Sequence, residues 1–318
     1  MNNLDTITKG QLIKELREAR GKSHKTLAEL ARCSKSTVIR IEKNITQPSD
    51  YTLTNLLSVL SVTREEFDAR LYGADLKWFN EDFLRIWDAG YAEDFATMEK
   101  MHEDLKCKPY YNPEILAMKQ ALLLCDSVIL RTRDKNYKAA LATLHKALKL
   151  TTSKLLTKKN TVRYENLKNL VITLNEYRIL KLIANNMDDT GQQQQAIELY
   201  QAIIVSLENK PASYELQKRL LPTTYFNLST TLLDENEYSK SLEVTECGLK
   251  FCSSVNEFKL NGEFFWNKGR AYFGLKDIAQ ATLWFQHSYN TVANNGKHDI
   301  AEYLKNVSQE KYGITIGH

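Results

Sequence analysis

Four short polar breaks in the carboxy-terminal two thirds of the chain set the strongest limit on its fold. They read "TRDKN", "MDDTGQ", "LDENE" and "GLKD", and each is followed by a small or apolar pair: Ala140-Leu141, Ala196-Ile197, Ser241-Leu242 and Ala281-Thr282. The pairs are 56, 45 and 40 residues apart. Such spacing suits one helix pair per repeat, with loops of unequal length. Small residues stand where the helices must approach closely. "YFNLSTTLLDENEYSKSLEVTECGLKFC" and "FFWNKGRAYFGLKDIAQATLWFQHSYN" show the match best, since both put an aromatic pair and then Asn ahead of the break. Asn227 precedes Ser241 by 14 residues, and Asn267 precedes Ala281 by 14.

The rest of the chain is helical in pattern as well. Only 12 glycines and 5 prolines interrupt 318 residues, and alternating β-branched runs are nearly absent. The first seventy or so residues break into five short helices. Leu12, Ile13 and Leu16 share one face of a helix from Lys9 to Ala19, which Gly21 ends as a left-handed residue past the last turn. Ser23 caps a second helix near Lys25–Ala31, and Ser34 a third near Lys35–Lys43. Pro48 separates these from a fourth, Tyr51–Leu60, with Leu53, Leu56, Leu57 and Leu60 inward. Thr63 and Glu66 form a capping box for a short fifth helix ending near Leu71. The expected fold is all-α: a five-helix bundle over 1–71, then a helical-repeat solenoid over 72–318.

Charge is unevenly spread. Lys9 to Lys43 holds ten basic residues against four acidic ones, a surplus of six in a chain whose net charge is +4, so the remainder sums to −2. A local basic face on a near-neutral chain suits a polyanion at one end. "KTLAELARCSKSTVIRIEKNITQP" puts small and basic residues at the front of the third helix and apolar ones a turn later. A helix that enters the DNA major groove by its amino-terminal residues needs this order. Lys35 and Ser36 lead, with Thr37 and Arg40 beside them, while Val38 and Ile41 anchor the helix to the core. Lysine donates to guanine O6 and N7, and serine to several base edges. His24 and Lys25 open the second helix, where free N–H groups favour phosphate. The expected DNA-contacting set is His24, Lys25, Ser34, Lys35, Ser36, Thr37 and Arg40. Arg17 and Glu42 are expected to pair on facing inner surfaces.

Residues 9–71 resemble the Cro/CI-type (XRE) helix-turn-helix domain, on the Arg, Gly, Leu-Ala, Ser-x-Ser, Ile-Glu and Pro of "LREARGKSHKTLAELARCSKSTVIRIEKNITQP". With the long helical tail, the chain resembles the Rgg/MutR regulators of Gram-positive bacteria, which group with PlcR-like receptors. "LPTTYFNLSTTLLDENEYSKSLEVTECGLKFC" is the tail stretch most similar to them. The resemblance implies a cytoplasmic homodimer. Its tetratricopeptide-like (TPR-like) repeat domain would bind a short imported hydrophobic peptide and so change transcription at a double-stranded operator. In two places the chain departs from the family pattern: Arg32 stands where the turn usually has Gly, and Lys43-Asn44 where Asn-Gly is common. A left-handed non-glycine residue costs on the order of a kcal/mol. Asn44 tolerates that conformation.

Asn suits a peptide clamp because its amide both donates and accepts. Asn227 and Asn267 occupy matched repeat positions, and related receptors use Asn in this way; the same residues also serve to bridge repeats. Asn175 and Arg178 lie on an earlier helix, where Arg can take a carboxylate bidentately. Tyr225, Phe226, Phe265 and Trp266 are candidates to pack peptide side chains or to fill the core. Some relatives cross-link cysteines, but a small buried role suits Cys33 better. The five cysteines fit neither a zinc site nor a disulfide framework, and the histidines show no ligand spacing, so no metal is expected. No phosphate loop, nucleophile elbow or carboxylate pair is recognisable, so no enzyme activity and no cofactor are expected. No apolar stretch is long enough to span a membrane, and "MNNLDTITKG" does not read as a secretion signal. Two readings of the repeat domain stay open: a receptor for a signalling peptide, or a docking surface for another protein.

Overall fold

A computed structural model of the chain describes residues 8–157, 161–170, 172–209 and 214–317. Its contacts divide it into two compact units, one up to Leu182 and one from Ile183 on. Among the described residues there is no strand beyond an isolated antiparallel bridge between Leu156 and Val162.

The first unit opens with α1 (Lys9–Ala19), α2 (His24–Leu30), α3 (Lys35–Glu42), α4 (Asp50–Val59) and α5 (Arg64–Tyr91). Side chains fix each start. Thr8 and Gln11 form a capping box on α1, Ser23, Ser34 and Ser49 accept from the third N–H of α2, α3 and α4, and Thr63 with Glu66 boxes α5. Gly21 takes φ +59 beyond α1, as its position requires. Behind the caps Leu12, Ile13, Leu16, Leu27, Val38, Ile41, Leu53, Leu56, Leu60 and Phe67 form one buried cluster.

The fifth helix is not short. It was expected to stop near Leu71 but runs on to Tyr91. Nothing after Leu71 ends it: a lone Gly73 is tolerated in a helix. Phe79, Phe83, Ile86 and Trp87 then continue the three-to-four spacing and are all buried. One helix therefore closes the amino-terminal bundle and begins the layer beyond it. That layer continues with α6 (Phe95–Lys106), α7 (Leu116–Thr132) and α8 (Tyr137–Thr152). Thr54 Oγ1 of α4 donates to the Thr151 carbonyl of α8 at 3.0 Å, joining the two parts of this unit directly.

The chain then forms α9 (Leu174–Asp189), α10 (Gln193–Glu208), α11 (Tyr214–Asp234), α12 (Tyr238–Ser254), α13 (Asn261–Gly274), α14 (Ile278–Asn294) and α15 (His298–Tyr312). The expected repeat is present and has a local rule. Two residues before α6, α8, α10, α12, α14 and α15 stands a left-handed residue: Glu93, Lys135, Gly191, Asn236, Lys276 and Gly296. The fourth residue of each of those helices is buried: Met98, Ala140, Ala196, Ser241, Ala281 and Ala301. The turn sets the return angle, and in all but α6, which has Met98 there, the small residue lets the backbones close.

Gly269 of α13 shows how tight the second unit is. A Cβ there would lie 2.4 Å from the Phe285 ring, which is fully buried and held by Trp266 at 4.4 Å between ring centres. Gly269→Ala is expected to destabilise this unit by about 1–3 kcal/mol despite the better helix propensity of alanine. A urea midpoint equal to or above that of the native chain would refute the packing argument.

Candidate functional site

α2, the turn and α3 form the reading head. Arg32 takes φ +55 in the turn, so the chain adopts the left-handed form without the glycine usual there. The next residue, Cys33, packs half-buried against the bundle core, and burial pushes its thiol pKa up. That disfavours the reactive thiolate. Asn44, past α3, is likewise left-handed at φ +56, and its side chain accepts from the Gly10 amide at 3.2 Å.

Ser34 Oγ accepts from Thr37 N at 3.0 Å and meets the Ser36 and Thr37 hydroxyls at 2.7 and 2.8 Å. Lys35, Ser36 and Arg40 are exposed, while Val38 and Ile41 are buried. Arg40 Nε donates to Thr46 Oγ1 at 3.1 Å. Lys25 is exposed at the start of α2. His24 is placed differently from the other six candidates, because its Nε2 lies 2.9 Å from Glu42 Oε2 within the bundle.

Glu42 is the junction beneath this surface. Its Oε1 accepts from Arg17 Nε at 2.7 Å and its Oε2 from Arg17 Nη2 at 2.9 Å, and both residues are 7% exposed. Arg17 Nη1 also donates to the Lys22 carbonyl at 3.0 Å. Burial alone would raise the Glu42 pKa; hydrogen bonds from Arg17 and His24 outweigh it and hold the carboxyl below its usual range. The expected Arg17–Glu42 pair is therefore present, with His24 as a third member.

Sequence reasoning passed over one part of this surface. A cleft of about 290 Å³ beside α3 is lined by Ser36, Thr37 and Arg40 together with Thr46, Gln47 and Thr52. It leads to the amino end of α4, where Ser49 caps the helix after Pro48. The signal available was that cap, directly after a proline and next to a recognition helix.

The peptide-binding candidates fall in two places. Asn175 and Arg178 belong to the first unit, where Arg178 Nη1 donates to Asn175 Oδ1 at 3.0 Å. Arg178 is 9% exposed, and its guanidinium carbon lies 4.9 Å from the Trp87 ring centre and 5.7 Å from that of Phe83. Asn227 and Asn267 belong to the second unit. Asn227 is half-buried and donates to Asn185 Oδ1 at 2.8 Å, an oxygen that also accepts from the Tyr200 hydroxyl at 2.6 Å. Asn267 is 1% exposed, and its amide donates to Ser229 Oγ at 2.8 Å and Thr230 Oγ1 at 2.9 Å. Asn267 thus ties α13 to α11. Asn185, which sequence reasoning did not single out, serves as the acceptor for α11.

The aromatic residues divide similarly. Tyr225 is buried and donates to Glu208, and burial together with that carboxylate pushes its pKa far up. Trp266 packs on Phe285 within a buried cluster of the second unit. Phe226 meets Phe264 edge-on with ring centres 6.1 Å apart, and Phe265 lies 5.4 Å from Trp284.

A capped helix-turn-helix bundle continued by a stack of helix pairs defines a class of regulators in which one chain carries both a reading head and a TPR-like domain. Residues 13–67 match the helix-turn-helix family HTH_3, and residues 135–281 match the RNPP family C-terminal domain. The chain thus joins an XRE-type helix-turn-helix domain to an RNPP family C-terminal domain. No curated protein matches it in sequence. Among solved structures it is similar to Bacillus thuringiensis PlcR in complex with the peptide PapR7 and DNA, at 20% identity and TM-score 0.58, over 94% of this chain and 99% of that one. It is also similar to ComR from S. thermophilus in complex with DNA and its signalling peptide ComS, at 14% identity and TM-score 0.51, over 96% and 100%. The apo form of the competence regulator ComR from Streptococcus vestibularis matches at 14% identity and TM-score 0.53, over 96% and 98%. At these identities the likeness is one of fold. Among the described residues no helix is long and apolar enough to cross a membrane.

Proposed function

We propose that the chain is a cytoplasmic, sequence-specific transcription regulator that binds its operator as a homodimer and answers to a short signalling peptide. Residues 1–71 supply the reading head and residues 72–318 the sensing and dimerisation part. The observation that carries the DNA reading is the division of α3: Lys35, Ser36 and Arg40 stand exposed at its front and outer face, while Val38 and Ile41 hold it to the core. Two such heads on one duplex multiply specificity when half-sites lie about one helical turn apart. The PlcR and ComR structures, each holding DNA and a peptide, support the peptide reading. No catalytic role is assigned to any residue.

Asn227 and Asn267 are expected to respond differently to substitution. Asn227→Ala keeps DNA binding and thermal stability near native values but loses the response to peptide. Asn267→Ala removes the buried amide that ties α13 to Ser229 and Thr230 of α11 and costs about 1–3 kcal/mol of stability. The check is a thermal melt of each variant beside a titration, by fluorescence anisotropy, with the products of small reading frames neighbouring the gene. Unfolding of the Asn227→Ala chain would make that residue structural. Indifference of the native chain to every such peptide, alongside normal DNA binding, would favour a docked protein instead.

A further inference from the structure

A second polar cleft lies in the first unit, outside both surfaces described above. It holds about 370 Å³ and is lined by Arg32 from the turn after α2, by Tyr51 and Asn55 of α4, and by Lys154 and Arg163 from the segment after α8. A volume of this order is typical of small-molecule sites. Leu30, at the far end of α2, forms part of its wall. That is six residues beyond His24, about 9 Å along the helix from the end expected to meet phosphate.

Three observations point to a ligand. Asn55 is only 3% exposed, yet neither its Nδ2 nor its Oδ1 has a hydrogen-bond partner. Buried amides are nearly always paired, and an orphan calls for an unseen partner. Second, Arg32, Lys154 and Arg163 face the same space, and none of them forms an ion pair among the described residues. No acidic residue is among the described lining. Third, Lys154 lies 5.3 Å from the Tyr51 ring centre, and burial together with nearby Arg32 lowers its pKa. The cleft therefore holds mutually repelling cations and an idle amide with both a donor and an acceptor.

We propose that this cleft binds a small phosphorylated molecule, with Arg32, Lys154 and Arg163 taking phosphoryl oxygens and the Asn55 amide pairing with a polar edge of the remainder. Arg and Lys are the side chains of choice for phosphate. The Asn55 amide gives the rest of the ligand one donor and one acceptor to match. A molecule seated there touches α4 of the bundle and the segment after α8 together. It adds to the Thr54–Thr151 hydrogen bond between α4 and α8, so it fastens the reading head to the layer behind it.

The test uses the full chain in phosphate-free buffer, titrated calorimetrically with orthophosphate, pyrophosphate and AMP. Pyrophosphate and AMP are expected to bind saturably and to raise the melting temperature. Lys154→Ala and Arg163→Ala each weaken both by tenfold or more. Asn55→Leu removes any advantage of AMP over pyrophosphate while keeping or raising the melting temperature of the ligand-free chain. No saturable binding of any probe, or binding unchanged in all three variants, overturns the proposal. A last arm distinguishes a free phosphorylated molecule from the backbone of DNA. Without ligand, the Lys154 and Arg163 variants should bind nonspecific duplex with the native salt dependence. A slope smaller by about 0.9 per lost charge would make DNA the occupant and end the small-molecule assignment.

Discussion

Glu42→Ala destabilises the amino-terminal bundle by about 3 kcal/mol, because it takes the two-pronged carboxylate from the buried Arg17 guanidinium and leaves it only the exposed Glu18 and the Lys22 carbonyl. Hydrogen exchange at the amides of residues 9–60 reads the loss locally. Protection in the second unit, from Ile183 on, should change far less. The double variant Arg17→Met, Glu42→Leu recovers much of the stability, since replacing both partners of a buried pair with apolar groups is often close to neutral. Equal protection in the Glu42→Ala and native chains would show that the pair contributes nothing. Acid gives a second reading of the same group. The Glu42 pKa is depressed in the folded chain. Its contribution is therefore complete above the ordinary carboxylate range and disappears as pH falls through the lower folded value. Glu42→Gln removes that part of the acid sensitivity, and an unchanged acid profile would contradict the assignment.

Lys35→Ala is expected to relax base preference at one operator position by about 1–3 kcal/mol, provided the lysine reaches a guanine edge. That is roughly 5–150-fold in relative affinity. The comparison that gives it meaning is Lys25→Ala, which should weaken every duplex alike and reduce the salt slope by about 0.9. The two measurements separate reading from anchoring. A sequence-selective loss from Lys25→Ala, or unchanged selectivity after Lys35→Ala, reverses the roles given to α2 and α3.

Local chemistry made much of the bundle legible before any coordinates. Ser23, Ser34, and Thr63 with Glu66 each announce a helix start within a few residues, and all three cap as expected. Arg17 and Glu42 could be paired because both sit on inward helix faces whose order was already clear. The end of α5 could not be read, because stopping a helix needs a signal and the stretch after Leu71 has none. The six left-handed turns were hidden for a related reason. Lys135 and Lys276 occupy a conformation usually announced by glycine or asparagine, so their breaks were visible and the common geometry was not, while the turn at Glu93 carried no such signal at all. Asn267 marks the limit at the site. An asparagine that grips a ligand and one that bonds Ser229 and Thr230, 38 and 37 residues earlier in sequence, look the same in a string of letters. The cleft around Asn55 drew no notice because Lys154 and Arg163 lie in a segment with little periodicity.

The unbroken run of α5 from Arg64 to Tyr91 makes it a drive shaft. Phe67 is fixed in the core of the reading head, while Phe83 and Trp87 are fixed in the next layer. Between them stand only helical turns, so the angular setting of one end against the other is written in the residue count. Each residue inserted or removed there would swing the head by about 100° and shift it by about 1.5 Å. A tether of the same length would absorb such an edit; a rigid axle transmits it in full.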